Sequence, residues 1–136
     1  MKTINQIIAQ YIYNLFGLNT QIAIQHHFYN KAGAKAYSKE NKIIFSLIAL
    51  KENVFPRYLI WHEVGHLKTS KNSRFCVENE VNAQLWAIIE AKKRKYNKLM
   101  KEFIDYTKEW GNDFISSNNI IYSIAKYKIL RKLKIK

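Results

Sequence analysis

Apolar positions at the start of the chain recur with helical spacing. Ile4, Ile7, Ile8, Tyr11, Ile12 and Leu15 fall at i, i+3, i+4, i+7, i+8 and i+11, a continuous stripe along one face of a helix over residues 3–16. Thr3 with Gln6 fits a capping box, and Gly17 is placed to end the helix. The pattern then changes to strict alternation. Over residues 21–29, Ile22, Ile24, His26 and Phe28 point one way and Gln21, Ala23, Gln25 and His27 the other, which predicts a half-buried strand. A turn over Asn30-Lys31-Ala32-Gly33 leads into a hairpin of residues 34–38 and 42–48 around Lys39-Glu40-Asn41. Ile43, Ile44, Phe45, Leu47 and Ile48 leave few polar positions, so the second hairpin strand is expected to be covered on both faces.

The rest of the chain reads as helices. One begins near Pro56, a residue tolerated in a first turn, and runs to about Thr69. Ser70–Ser73 is a polar connector. Residues 75–110 are mostly helical with one break, and Gly111-Asn112 ends that stretch. A last helix over 118–133 carries Ile120, Ile121, Ile124, Tyr127 and either Ile129 or Leu130 on its apolar side. The order of elements predicts an α+β fold with one small, mostly antiparallel three-stranded sheet.

Composition narrows the class. A chain of 136 residues, 48% hydrophobic and 24% charged, suits one globular domain and excludes a disordered one. The single cysteine, Cys76, excludes an internal disulfide framework. No apolar run approaches the roughly 20 residues of a membrane span. Asn5, Gln6 and Gln10 interrupt any secretory signal, so a soluble protein of the reducing cytoplasm is expected. The charge is unusual: 23 Lys and Arg against 10 Asp and Glu give +13. Residues 92–101 and 126–136 each hold 6 basic side chains and no acid. Such an excess attracts nucleic acid, anionic membrane or acidic proteins, while a Lys-rich set of solvated helix faces is the plainer reading.

Residues 62–66 read His-Glu-Val-Gly-His inside a predicted helix. Positions i and i+4 lie one turn apart on one face, so His62 and His66 can place two imidazole nitrogens on one metal ion. Glu63 then sits beside the metal, where it can take a proton from water and hand it to a leaving amine. A shuffled chain with these counts of His and Glu would contain the pattern roughly 0.7% of the time, so the motif needs a third ligand to be persuasive. Glu80, Ala83, Gln84 and Ala87 fall at i, i+3, i+4 and i+7 on the next helix. One carboxylate in a stripe of small side chains allows close helix packing. Gly65, which costs a helix about 1 kcal/mol relative to Ala, makes sense as the matching contact. The two helices would bring Glu80 to the metal. His26 and His27 are adjacent on a strand and face opposite ways, so they make no metal pair. Cys76, at a helix start, reads as a small buried hydrophobe.

Taken together, these residues resemble the gluzincin metallopeptidases, and among them the small ImmA/IrrE-like and minigluzincin-type proteins. Their second motif, E-x-x-A-[ND]-x-[aromatic]-A, corresponds here to Glu80-Val81-Asn82-Ala83-Gln84-Leu85-Trp86-Ala87. Glu78 remains a rival ligand, but only the Glu80 frame recovers both alanines and the aromatic residue. Gln84 stands where an Asn or Asp usually supports the first histidine. Gly33–Ser46 resembles the family's hairpin, whose outer strand is expected to bind an extended substrate, here through Ile43, Ile44, Phe45 and Ser46. The likeness covers about residues 33–89 and leaves the C-terminal 45 or so residues unmatched.

The resemblance implies a small zincin-like domain over residues 1–111 with a basic helix, 112–136, docked on it. It implies a zinc (Zn2+) endopeptidase held by His62, His66 and Glu80, with Glu63 as base and then acid and a protein or peptide as substrate. None of the nine tyrosines has a spacing that marks an oxyanion stabiliser. One alternative is a nucleic-acid-associated regulator on the same scaffold, with structural zinc or vestigial hydrolysis; another is an anionic-membrane-surface protein whose basic last helix lies in the interface. In the last helix, Lys126, Lys128, Arg131, Lys132 and Lys134 are expected to point outward and, with Lys92–Lys95, to recruit an acidic partner or nucleic acid.

Overall fold

The computed structural model describes residues 2–25, 33–47, 50, 57–111 and 118–135. The first helix, α1 (Ile4–Phe16), has both halves of its capping box: Gln6 N–H donates to Thr3 Oγ1 at 3.2 Å and Thr3 N–H to Gln6 Oε1 at 2.9 Å. Gly17 ends it in the left-handed conformation (φ 70°), donating its N–H to the Tyr13 carbonyl. Ile8 and Ile12 are fully buried, whereas Ile4 and Ile7, at the edge of the stripe, stay exposed.

Three strands follow: β1 (Gln21–Gln25), β2 (Ala34–Tyr37) and β3 (Lys42–Ser46). Residues 26–32, which include His26 and His27, lie outside the described residues. β2 and β3 form the expected antiparallel hairpin, with Ala36 opposite Ile43. The spatial order is β1-β3-β2, and β1 runs parallel to β3 with Ile22 opposite Ile43. Two expectations change as a result. The sheet is mixed, not mostly antiparallel. Ile43, Ile44, Phe45 and Ser46, expected on an outer strand, lie on the central one, whose two backbone edges are both paired. Its near-continuous apolar run is the pattern of a strand buried on both faces, and all four residues are buried. At the hairpin turn Asn41 (φ 49°) donates from Nδ2 to the Asn19 carbonyl and accepts from Thr20 Oγ1, tying the turn to the start of β1.

Four helices complete the described fold: α2 (Arg57–Thr69), α3 (Val77–Lys93), α4 (Asn97–Lys108) and α5 (Asn118–Lys132). The expected break falls at Arg94–Tyr96, where Lys95 adopts φ 62°. Arg94 is structural: it pairs with Glu90 at 3.0 Å, donates to the Leu15 carbonyl at 2.7 Å and lies over the Phe16 ring. No helix among the described residues is long and apolar enough to cross a membrane.

α2 lies between two layers. Ile60 and Val64 join Ile8, Ile12, Ala36, Ile43 and Phe45 on the sheet side. Trp61 joins Val81, Ala87, Ile88, Phe103, Ala125 and Ile129 on the helical side. Burial from both sides explains why every residue from Ile60 to Gly65 is inside. α5 contributes Ala125 and Ile129, both fully buried, to the helical layer. The stripe expected to dock it is split: Ile129 is fully buried and Ile121 half-buried, whereas Ile120, Ile124 and Tyr127 are exposed. Small Ala125 lets α5 approach the alanine-lined face of α3, which outweighs burial of the larger residues.

The α2–α3 contact is set by Gly65. A Cβ at that position would lie 2.9 Å from both the Cα and the carbonyl carbon of Ala83. Gly65→Ala should therefore destabilise the protein by about 1–3 kcal/mol, despite a helix-propensity gain of about 1 kcal/mol. Urea unfolding measures this; unchanged or increased stability would mean the two backbones are not in close contact.

Candidate metal centre

His62 and His66 lie one turn apart on α2, with ring centroids 4.7 Å apart. Across the close α2–α3 contact, Glu80 comes from the first turn of α3. Its Oε1 is 3.1 Å from His62 Nε2 and its Oε2 is 2.9 Å from His66 Nε2, so one buried carboxylate spans both rings. Glu78, the rival, is exposed. Glu63 is buried beside them, and one carboxylate oxygen lies within 4.8 Å of the ligand nitrogens of both histidines. Two carboxylates thus approach the pair, but the bridging position is Glu80's, since each of its oxygens faces a different nitrogen at hydrogen-bond distance. Among the described residues the metal-capable set whose ligand atoms all lie within 4.8 Å of one another is His62, Glu63 and His66; Glu80 meets the two histidines through the contacts above, and Cys76 belongs to neither.

The other nitrogen of each ring is anchored. His66 Nδ1 is 2.9 Å from Ser70 Oγ. His62 Nδ1 is 2.8 Å from Gln84 Oε1. Gln84 Nε2 donates to Thr107 Oγ1 at 2.8 Å, and the Thr107 hydroxyl donates in turn to the Phe103 carbonyl at 2.7 Å. With its proton committed to Phe103, Thr107 can only accept, so Gln84 presents its NH2 to Thr107 and its oxygen to His62. His62 must therefore carry its proton on Nδ1, and neutral Nε2 turns a lone pair towards the Glu80 carboxylate.

Two lone pairs 3.1 Å apart repel unless a cation lies between them. In the metal-free protein that cation is a proton. Burial opposes charge on His62, but the hydrogen bond to Glu80, the charges of Glu80 and Glu63 and the Gln84 contact outweigh it and raise the ring to about 9. Burial likewise opposes ionisation of Glu80, but its bonds to His62 and His66 and their charges hold its carboxyl down at about 2. Glu63 is raised, by burial above all. A divalent ion satisfies the same geometry. Two imidazole nitrogens and one carboxylate, each ring fixed through its second nitrogen, make a donor set that fits zinc with one position left open.

No motif in the sequence marks the residues around this centre. Trp110 packs edge-on against His62 at 5.5 Å, and Tyr122 packs against Trp110 at 5.1 Å and Phe75 at 5.4 Å. Burial and the charges of Glu80 and Glu63 push the Tyr122 hydroxyl well above its ordinary range, so the last helix lies within electrostatic reach of the site. Gly111 (φ 81°) sits against Ser123, where a Cβ would lie 3.1 Å from its Cα and Cβ, and so brings Trp110 and Tyr122 together. These residues lie far apart in the chain and share no spacing, so only packing reveals them. Thr107 and Ser70 carried no motif either.

No protein-family model, curated protein or solved structure matches the chain.

Thr107→Val should free the Gln84 amide to rotate and weaken zinc binding about 10–100-fold, while Thr107→Ser retains it; competition with a chromophoric chelator measures both. An unaffected Thr107→Val would show that Thr107 does not hold the tautomer. The metal-free protein should also show a defined pH optimum of stability. His62, raised from 6.5 to about 9, stabilises fully below 6.5 and loses that contribution as pH rises through 9. Glu80, lowered from 4.5 to about 2, stabilises above 4.5 and loses it as pH falls through 2. Glu63, raised by burial, lowers stability as pH rises above 4.5, so thermal unfolding after chelation should place the optimum towards the acidic side of the window between 4.5 and 6.5. Added zinc, which displaces the His62 proton, should raise Tm more at alkaline than at mildly acidic pH.

Proposed function

We propose that this chain is a zinc-dependent peptidase of the gluzincin type. The observation that carries the reading is the Glu80 carboxylate spanning both Nε2 atoms of an H-E-x-x-H helix, with each histidine anchored behind. His62, His66 and Glu80 hold the ion. A bound zinc ion supplies a Lewis acid that polarises the scissile carbonyl and acidifies water at the site. Glu63, adjacent to His62 and outside the bridging position, takes the proton from water and passes it to the leaving amine. Its raised pKa suits a group that must both accept and return a proton. Tyr122 lies beside the site, packed on the Trp110 ring that itself packs on His62, which supports it as the donor to the substrate carbonyl oxygen.

With β3 in the centre of the sheet, the strand available to an extended substrate is β2, an edge strand packed against α2. Ser46 N–H donates to the Gly33 carbonyl at 2.9 Å, which sets the alternation along the hairpin. Lys35 and Tyr37 are then the residues bonded to β3, and Ala34 and Ala36 turn their N–H and C=O groups to the open side. A peptide pairing there would be held main chain to main chain, with specificity left to side-chain pockets.

The +13 charge favours a second reading, a nucleic-acid-associated regulator in which the metal is structural. Such a protein has no use for Glu63 beside the ligands. Glu63→Gln separates the two. A peptidase should keep one zinc per chain and lose hydrolysis at least 100-fold, whereas His62→Ala and His66→Ala lose zinc itself. Metal analysis and a peptide-library assay measure this; full hydrolysis by Glu63→Gln would overturn the mechanism.

A further inference from the structure

Among the described residues, the last helix has two apolar faces and buries one of them. Ala125 and Ile129 are fully buried in the helical layer, where α5 packs against α3. On the opposite side Ile120 is 67% exposed, Tyr127 66% and Ile124 44%. These positions, i, i+4 and i+7, make one outward ridge two turns long. Exposed Arg131 continues the ridge, and exposed Lys128 and Lys132 flank it. Residues 118–136 contain six basic side chains and no acid.

We propose that this face of α5 docks on an anionic membrane surface, lying in the interface without crossing it. The proposal is independent of the metal centre. An outward apolar ridge edged by lysines is the arrangement that buries side chains at the acyl boundary while cations meet anionic headgroups. Tyrosine and lysine suit that depth, because each has an apolar body and a polar tip. Charge argues against the other occupants. A second copy would bring two chains of +13 together along their most basic helix. Nucleic acid would attract the lysines but leave Ile120 and Ile124 facing phosphate and water.

The test uses the full chain with vesicles of phosphatidylcholine alone and of phosphatidylcholine mixed with phosphatidylglycerol. Cosedimentation should occur with the mixed vesicles only and fall steeply with salt. Replacing Ile120, Ile124 and Tyr127 together by Ser should reduce partition at least tenfold, and replacing Lys128, Arg131 and Lys132 by Gln about fivefold per charge. Circular dichroism checks that these surface variants keep their helices, and Tyr127→Ser alone, with a smaller loss in the same direction, serves if the triple variant does not fold. Absence of binding to the mixed vesicles overturns the proposal. So does binding that the apolar substitutions leave unchanged, since charge alone would then account for it. A dimer in sedimentation velocity that the Ser variant abolishes would assign the face to a second copy. Binding to polyglutamate as tight as to vesicles, and equally sensitive to the apolar variant, would assign it to an acidic protein.

Discussion

The backbone contact between α2 and α3 at Gly65 and Ala83 is the constraint on which the rest of the structure depends. Helices normally pack with axes about 8–10 Å apart, and the spacing depends on the side chains between them. A glycine facing an alanine carbonyl removes the separator. Only at that distance can a glutamate, a side chain of modest reach, place one oxygen on each of two imidazoles from the neighbouring helix. The same contact sets Gln84, one turn along from Glu80, against the far side of His62. Close packing and site chemistry are therefore one feature. A side chain at 65 would push Glu80 away and leave buried charges without partners.

Burying this constellation has a cost that the network around it offsets. A lone carboxylate taken into the interior is strongly disfavoured. Here Glu80 meets two nitrogens, and each ring is held from behind by a hydroxyl or an amide. Among the described residues no fully buried side-chain polar atom lacks a hydrogen-bond partner. The chain Phe103 carbonyl, Thr107, Gln84, His62 extends this order into α4, so a helix outside the motif determines which nitrogen of His62 is free. A fully satisfied buried network of this kind favours one arrangement over its alternatives.

Positive charge is divided between structure and surface. Arg94, at the centre of the first basic run, binds the end of α1 and stacks on Phe16, so it is an internal fastener between helices. The second run lies on a helix whose inner face completes the core and whose second turn carries Tyr122 towards the metal centre. α5 is thus part of both the core and the wall of the site, while most of its basic side chains remain exposed. A net charge of +13 on a chain of this size would be a liability for compactness if it were concentrated inside. Outside, it sets what the protein can approach.

The local rules were legible in the sequence by itself. Capping chemistry and the 3.6-residue period determined α1, turn residues determined the hairpin, and the i, i+4 spacing placed His62 and His66 on one face. The small-residue stripe around Glu80 also made sense in one dimension, because close helix packing leaves a compositional trace at fixed intervals. What the tertiary structure alone decided was which of several adequate surfaces each element uses. The apolar run of β3 says that both faces are covered but not which neighbours cover them, and parallel pairing with β1 made it central, not outer. α5 carries apolar residues on both sides, and it is Ala125 and Ile129 that pack inward while Ile120, Ile124 and Tyr127 stay out, a choice set by fit against α3. Thr107, Trp110 and Tyr122 reach the site from distant helices. Periodicity records the environment of one element, whereas a site assembled from several depends on where the elements meet.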